Sequence, residues 1–326
     1  MSFANANISD IIATTIQSRS GVLADNVSEN DALISRIKQS GNVKPFSGGN
    51  VIMQELAFAE NGNAGWYSGY ESLPIAAQDV ISAAQYDIKQ SACAVTISGL
   101  EQLQNASREQ VIELLEGRIS VAESTMLNLL SEGVHSDGTG YSGKQITGLQ
   151  AQVPSDPTTG TVGGINRANW SFWNSQLYDI SVSGSGAASA SNIQQYLNAL
   201  WVKCVRGNDR PNLIVMDNNY WTLFANSLQN LQRFTSSQTA NLGFVTLQYL
   251  GAEVILDGGI GGDMGASTAY MLNTKYLHYR PHARRNMVPI APNMRHSVNQ
   301  DAEVQLIGWA GNLTSSGLQF QGLLQE

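Results

Sequence analysis

The sequence predicts a mixed α+β fold in which an N-terminal arm and a long extended hairpin stand off a body of helices and sheets. Three patterns predict it. Apolar residues alternate with period two on both sides of a Gly-rich aromatic segment, which describes two strands and the turn between them. They then settle on one face of a helix of roughly 25 residues. Beyond a Gly/Thr/Pro-rich connection, helices and strands take turns, as they do in α/β units.

Residues 1–47 read as the arm. Ile8, Ile12 and Ile16 recur at helical spacing, and Leu33, Ile34 and Ile37 do so again before Gly41. Lys44-Pro45 and Ser47-Gly48-Gly49 then stop any helix. Residues 48–98 read as the hairpin, with strands over Val51 to Phe58 and Val80 to Ile97. Val80, Ala84, Tyr86 and Ile88 share one face, and Cys93, Val95 and Ile97 carry the alternation on. The joining segment, NGNAGWYSGYESLP, places Trp66, Tyr67 and Tyr70 in a polar turn region. An aromatic set there suits an intermolecular anchor better than a core.

Residues 99–164 hold the long helix. Ser107 and Gln110 have capping-box spacing, and Val111, Leu114, Leu115, Ile119, Ala122, Met126 and Leu130 keep one face apolar until Gly133. Gly138 to Gly164 reads as an irregular connection and a domain boundary. In residues 165–275, Trp170, Trp173, Leu177 and Ile180 form a helical stripe, followed by a Ser/Gly/Ala linker. Ser191 and Gln194 open a helix carrying Ile193, Leu197, Leu200, Trp201, Cys204 and Val205, with Gly207 at its C′ position. Leu213 to Met216 is a buried strand, and Asp217 caps a helix through Tyr220, Leu223, Phe224, Leu228 and Leu231. Val254 to Leu256 is another strand. The final region, 276–326, follows a strand at Ala269 to Leu272 and carries strands at Tyr276 to Tyr279, Val304 to Trp309 and Leu318 to Leu324.

Composition narrows the function. Of 326 residues only 13% are charged, where about 25% is usual, while 42% are hydrophobic. Charge depletion marks interface cores, so the chain suits a protein that buries much of its outside against copies of itself. A net charge of -8 and a pI near 5.0 argue against a dedicated nucleic-acid binder. Cys93 and Cys204 make no disulfide framework and fit a reducing cytosol. MSFANANISDII lacks the features of a secretory signal, and no apolar run reaches the roughly 18 residues of a membrane span.

Catalytic chemistry finds little support. GTGYSGKQ, from Gly138 to Gln145, has the spacing of a phosphate-binding loop, but Gln145 stands where Ser or Thr must meet magnesium, and the segment leaves a helix rather than a strand. DGGIGGDMG puts Met264 where the third glycine of a dinucleotide fingerprint belongs. A phosphate-binding enzyme built on Gly258 to Gly265 is nonetheless the alternative function. His278 and His282 are separated by Pro281, which denies them one helical face as metal ligands. Their segment, HYRPHARRNM, is the one basic concentration, and its Arg280, Arg284 and Arg285 suit pairing with carboxylates of a neighbouring subunit.

The order of these elements resembles the major capsid proteins of tailed bacteriophages, with the Hong Kong 97-like fold. GGNVIMQEL and WYSGYE resemble the extended loop, and VTISGLEQLQNASREQVIELLEGRISVAESTMLNLLSEG the spine helix with its entry. GLQAQV, GTVGGINRANWSFW, RPNLIVMDNNYWTLF, LGAEVILDGG and WAGNLTSSGLQFQGLL continue the resemblance almost to the end. Within that family the chain resembles most closely the capsid proteins of short-tailed temperate phages such as the tropism-switching Bordetella phage. The resemblance implies a peripheral domain from 99–164 and the return strands of 276–326, and an axial domain at 165–275. It implies pentamers and hexamers that close an icosahedral head around double-stranded DNA, assembled in the host cytoplasm. Portal, scaffolding and decoration proteins are the implied partners, together with packaged DNA on the inner face, and no membrane. Because the arm begins at residue 1, scaffolding is expected to be separate or cleaved off. Some relatives crosslink a lysine of the extended loop to a neighbour's asparagine, and Lys89 lies in this loop without a reactive motif. The resemblance carries no catalytic residue, cofactor or metal.

Overall fold

The computed structural model describes residues 32–100, 108–184, 186–228, 247–257, 264–290, 295–296 and 302–326. The expected Ile8/Ile12/Ile16 helix, the Ser107 cap, the side chains of Val111, Leu114 and Leu115, Leu231 and most of DGGIGGDMG lie outside the described residues.

The first described helix, α1 (Ala32–Gln39), forms where expected, with Leu33, Ile34 and Ile37 fully buried. It ends at Gly41, whose φ of 72° is the left-handed turn that glycine adopts at least cost. The chain then runs alongside residues 279–282, with the amides of Lys44 and Phe46 donating to the carbonyls of Tyr279 and Pro281. Arg36 of α1 pairs with Glu253 at 3.1 Å.

The hairpin strands are β1 (Val51–Ala57) and β2 (Ile81–Asp87), antiparallel from Val51 opposite Asp87 to Ala57 opposite Ile81. Their alternation buries Ile52, Gln54 and Leu56 with Ala84 and Tyr86, as period two requires. The second strand is shorter than expected. At Ile88 the chain changes partner, and β3 (Lys89–Ser98) pairs instead with β10 (Ala302–Ser315).

The long helix, α2 (Arg108–His135), packs across β3 and buries Ile119, Ala122, Met126, Leu130 and Val134. β10 is the spine of a five-stranded sheet: β3 runs antiparallel along it, as do β9 (Leu277–Pro281) and two-residue strands at Val288–Pro289 and Arg295–His296. One core joins this sheet to α1 and α2, with Trp309 stacked on Tyr279 and donating its indole N–H to the phenol oxygen at 2.9 Å.

The second sheet has six strands, in the order β4 (Gln176–Asp179), β11 (Gly322–Gln325), β8 (Thr268–Leu272), β5 (Leu213–Met216), β7 (Ala252–Leu256) and β6 (Leu247–Tyr249). Both of its faces are covered. Leu213, Val215, Tyr270 and Leu272 face the first core, while Ile214, Met216, Val254 and Met271 pack under α3 (Ile193–Cys204) and α4 (Asn218–Leu228). Asp217 caps α4 as expected, accepting from the Tyr220 amide at 2.9 Å.

Three expectations here need correction. The stripe from Trp170 to Ile180 is not one helix: Ser171–Trp173 is a 3-10 turn, Leu177 lies on β4, and Ile180 begins a single helical turn. The parallel pairing of β4 with β11 overrides the helical spacing. Asn192, not Ser191, flanks the start of α3, and Gly207 serves a tight turn closed by reciprocal bonds between Arg206 and Asp209. Finally, the return strands do not stay together, since β11 crosses into the six-stranded sheet.

Candidate assembly surfaces

The hairpin is half built into the body and half outside it. Its inner half has a small core of its own, formed by Ile52, Leu56, Ala84 and Tyr86 against Phe46, Val162, Trp173 and Leu318. Trp173 is fully buried and donates its indole N–H to the Val162 carbonyl at 2.9 Å. A tight turn at Gly163 borders β2, with the Gln85 amide donating to the Gly163 carbonyl at 2.8 Å. Gly163 has φ +60°, and a Cβ there would lie 2.9 Å from that of Ala84. Polar contacts fix the same seat: Gln54 accepts from Arg280 at 3.2 Å, and the Asn312 amide donates to the Asp87 carbonyl at 2.9 Å.

Beyond Phe58 the hydrogen bonds among the described residues are local. Asn63 donates to the Ala76 carbonyl, and the Ser68 amide donates to the Glu71 carboxylate at 3.0 Å. Trp66 and Tyr70 are fully exposed, Tyr67 is 66% exposed, and Leu73, Ile75 and Ile81 add further exposed apolar surface. The structure therefore places all three aromatics on one projecting element and buries none of them.

The arginines separate. Arg280 and Arg285 each donate to a glutamine of their own chain, Gln54 and Gln90, while Arg284 is exposed. Burial lowers the Arg280 pKa. His278, on the same face of β9 as Arg280, is pushed down to about 4, first by burial and then by the positive charges of Lys44 and Arg280. Polar groups thus gather beneath the hairpin seat, which the expected strand at Tyr276 to Tyr279 indicates once it is extended to Pro281, since period two then puts His278 and Arg280 on one face.

Lys89 lies at the hairpin base, the first residue of β3, and donates to the Gly143 carbonyl at 2.8 Å. Its partner loop, GTGYSGKQ, forms a short left-handed turn, with φ of 53° at Tyr141 and 60° at Ser142. That is not the strand-to-helix geometry of a phosphate-binding loop. His135, at the end of α2, is buried 2.7 Å from Asp257 and ties the long helix to the six-stranded sheet. Burial pushes the Cys204 thiol up to about 12, consistent with a packing role. Among the described residues no cluster suited to a metal ion occurs, and no helix is long and apolar enough to cross a membrane.

An extended segment before the hairpin, a projecting hairpin, a long helix across one sheet and a second sheet covered on both faces make up the Hong Kong 97-like fold. Solved structures carry the same arrangement. A chain of the cyanophage A-1(L) capsid asymmetric unit superposes with a TM-score of 0.62 at 16% identity, covering 87% of this chain and 90% of that one. The capsid of a native GTA particle gives 0.57 at 13% identity, covering 89% of each chain. A structure from Mycobacterium phage Bobi gives 0.55 at 10% identity, again covering 89% of each. No protein-family model and no curated protein sequence matches the chain.

Proposed function

We propose that the chain is a major capsid protein, assembling as pentamers and hexamers into an icosahedral phage head around double-stranded DNA. The observation that carries this reading is the hairpin: its apolar, aromatic outer half is exposed among the described residues, in a chain whose fold matches that of a capsid structure over 87% of its length. Trp66, Tyr67 and Tyr70 anchor the contact between subunits, with Arg284 the most accessible of the three arginines to a neighbour's carboxylate and Arg280 and Arg285 beside it. The protein then belongs to the virion, is assembled in the host cytoplasm, and meets portal, scaffolding and decoration proteins. The resemblance to short-tailed temperate phages, the Bordetella phage among them, gives the kind of head. The domain division at 99–164, 165–275 and 276–326 belongs to the same reading, save that β11 joins the sheet of the 165–275 region. Negative-stain electron microscopy of the purified protein tests it. Closed shells or capsomer rings are the expected result, and a small monodisperse particle under every assembly condition would overturn it.

A further inference from the structure

We propose that Asn61 is a site of spontaneous covalent modification: the backbone nitrogen of Gly62 attacks its side-chain amide, and the imide so closed reopens with water to aspartate and isoaspartate. The inference concerns the single subunit and goes beyond the shell reading. Asn61-Gly62 is the one Asn-Gly pair in the sequence. It lies at the root of the outer hairpin, just past Phe58, whose amide donates to the Val80 carbonyl at 3.1 Å. Both residues are exposed. Glycine leaves such an attack least hindered, because it has no Cβ and the freest backbone. The Gly62 N–H donates to no group among the described residues, so its nitrogen gives up no bond within the chain on attacking. Asn61 Oδ1 accepts from the Asn63 amide at 2.9 Å. That bond draws electrons from Cγ and holds the oxygen on which negative charge develops when the nitrogen adds.

In the first step the bond from the Gly62 nitrogen to Asn61 Cγ forms, that nitrogen loses its proton to solvent, and the Cγ–Nδ2 bond breaks, Nδ2 leaving as ammonia. In the second, water opens the imide. Opening at Cγ gives aspartate, and opening at the backbone carbonyl carbon gives isoaspartate, whose chain runs through the side chain and is one methylene longer. One water is consumed, one ammonia is released, and nothing is oxidised. Either product adds a carboxylate to a stretch, Val51 to Ile81, that already carries Glu55, Glu60, Glu71 and Asp79 and no lysine or arginine. Isoaspartate also displaces the Asn61 carbonyl, which accepts from the Ala64 amide at 3.1 Å, so the turn at the root of the outer half is redirected. Asp137-Gly138 shows what withholds this chemistry. There the Gly138 amide donates to Ser136 Oγ at 3.2 Å. The Asp137 carboxylate accepts from the amide and the hydroxyl of Thr139, which holds its pKa below the usual range and keeps it an ionised, poor electrophile.

Ageing the purified full chain at mildly alkaline pH tests this, with peptide mapping by mass spectrometry and electron-transfer fragmentation to separate isoaspartate from aspartate. The expected result is a gain of about 1 Da confined to the peptide that holds Asn61, with isoaspartate among the products. Because the segment is exposed and locally bonded, the rate should lie within about tenfold of that in the urea-unfolded chain. Gly62→Ala should slow the gain at least about tenfold. That variant should keep the wild-type circular dichroism, since the nearest atom to its Cβ would be the Gln78 amide oxygen, at 3.2 Å, on an exposed and movable side chain. An unmodified Asn61, a folded-chain rate below that range, or a smaller slowing in Gly62→Ala overturns the assignment. None of these outcomes bears on the shell reading, which electron microscopy of the fresh protein decides by itself.

Discussion

The two halves of the extended hairpin both carry apolar and aromatic side chains but have opposite surroundings. The inner half buries Ile52, Leu56, Ala84 and Tyr86 against its own chain, while the outer half leaves Trp66, Tyr70, Leu73 and Ile75 in solvent. An isolated two-stranded ribbon is marginal in water, so what makes this one a defined element is the seat beneath it. On the proposed shell reading, the difference assigns folding and assembly to separate stretches of one hairpin. Substitutions in the seat should cost subunit stability, and those in the tip should cost association.

The sharpest way to break that division is Trp173→Ala in the seat. Emptying a fully buried indole site should lower unfolding free energy by about 3–5 kcal/mol, measured by chemical denaturation of unassembled subunits. A loss below 1 kcal/mol would mean that the seat does not hold the hairpin. In the tip, Trp66→Ala should leave stability within about 0.5 kcal/mol of wild type, as an exposed position allows. It should weaken subunit association roughly 30-fold, about 2 kcal/mol per contact, seen as fewer closed shells at fixed concentration. Unfolding by this variant would place Trp66 in a core, and normal shells would remove the tip from the interface.

A subtler test is Gly163→Ala. The left-handed backbone costs a non-glycine residue about 1–2 kcal/mol, and the crowding against Ala84 adds to it, so the denaturation midpoint should fall without loss of the fold. A midpoint equal to that of wild type would show that the 163 turn yields freely. The smallest expected effect concerns pH. His278 has its folded pKa pushed from about 6.5 down to about 4, so between these values the unfolded chain binds more protons than the folded one. Stability contributed by neutral His278 is therefore complete above pH 6.5 and is lost as pH falls toward 4, by about 1 kcal/mol per pH unit. His278→Gln should flatten that slope in denaturation series from pH 7 to pH 5, while Trp66→Ala should not. An unchanged slope in His278→Gln would assign the acid sensitivity elsewhere.

Local signals were legible where local physics decides. Leu213–Met216 forms as the buried strand that four consecutive apolar residues suggest, and α2 keeps the apolar stripe through Met126 and Leu130. The aromatic tip was legible as exposed, because a polar Gly-rich setting offers no core to bury it. Legibility failed where pairing is distant. Between Val80 and Ile97 the apolar set shifts from even positions, 84, 86 and 88, to odd ones, 93, 95 and 97, a one-residue change of face that marks the change of partner near Ile88, but the new partner, β10, lies far along the chain. Leu177 sits at helical spacing from Trp173 and Ile180, yet its backbone pairs with Leu323, far along the chain. The cavity at the hairpin base had a similar blind spot. Lys89 and Lys144 stand out separately in the sequence, one for its loop and one for its resemblance to a phosphate-binding lysine, but only the fold brings both to one cavity.

The position of β11 bears on when a subunit becomes competent. This strand lies between β4 and β8, inside the six-stranded sheet, although it is translated after every other strand of that sheet. Until the ribosome has released residues 322–325, β4 has no neighbour and β8 presents a bare edge. A nascent subunit is thus unable to finish this sheet while the hairpin and the long helix are already outside the exit tunnel. The order of synthesis thus delays closure of this sheet until β11 emerges, and removal of Gly322–Gln325 should leave β4 and β8 with open edges.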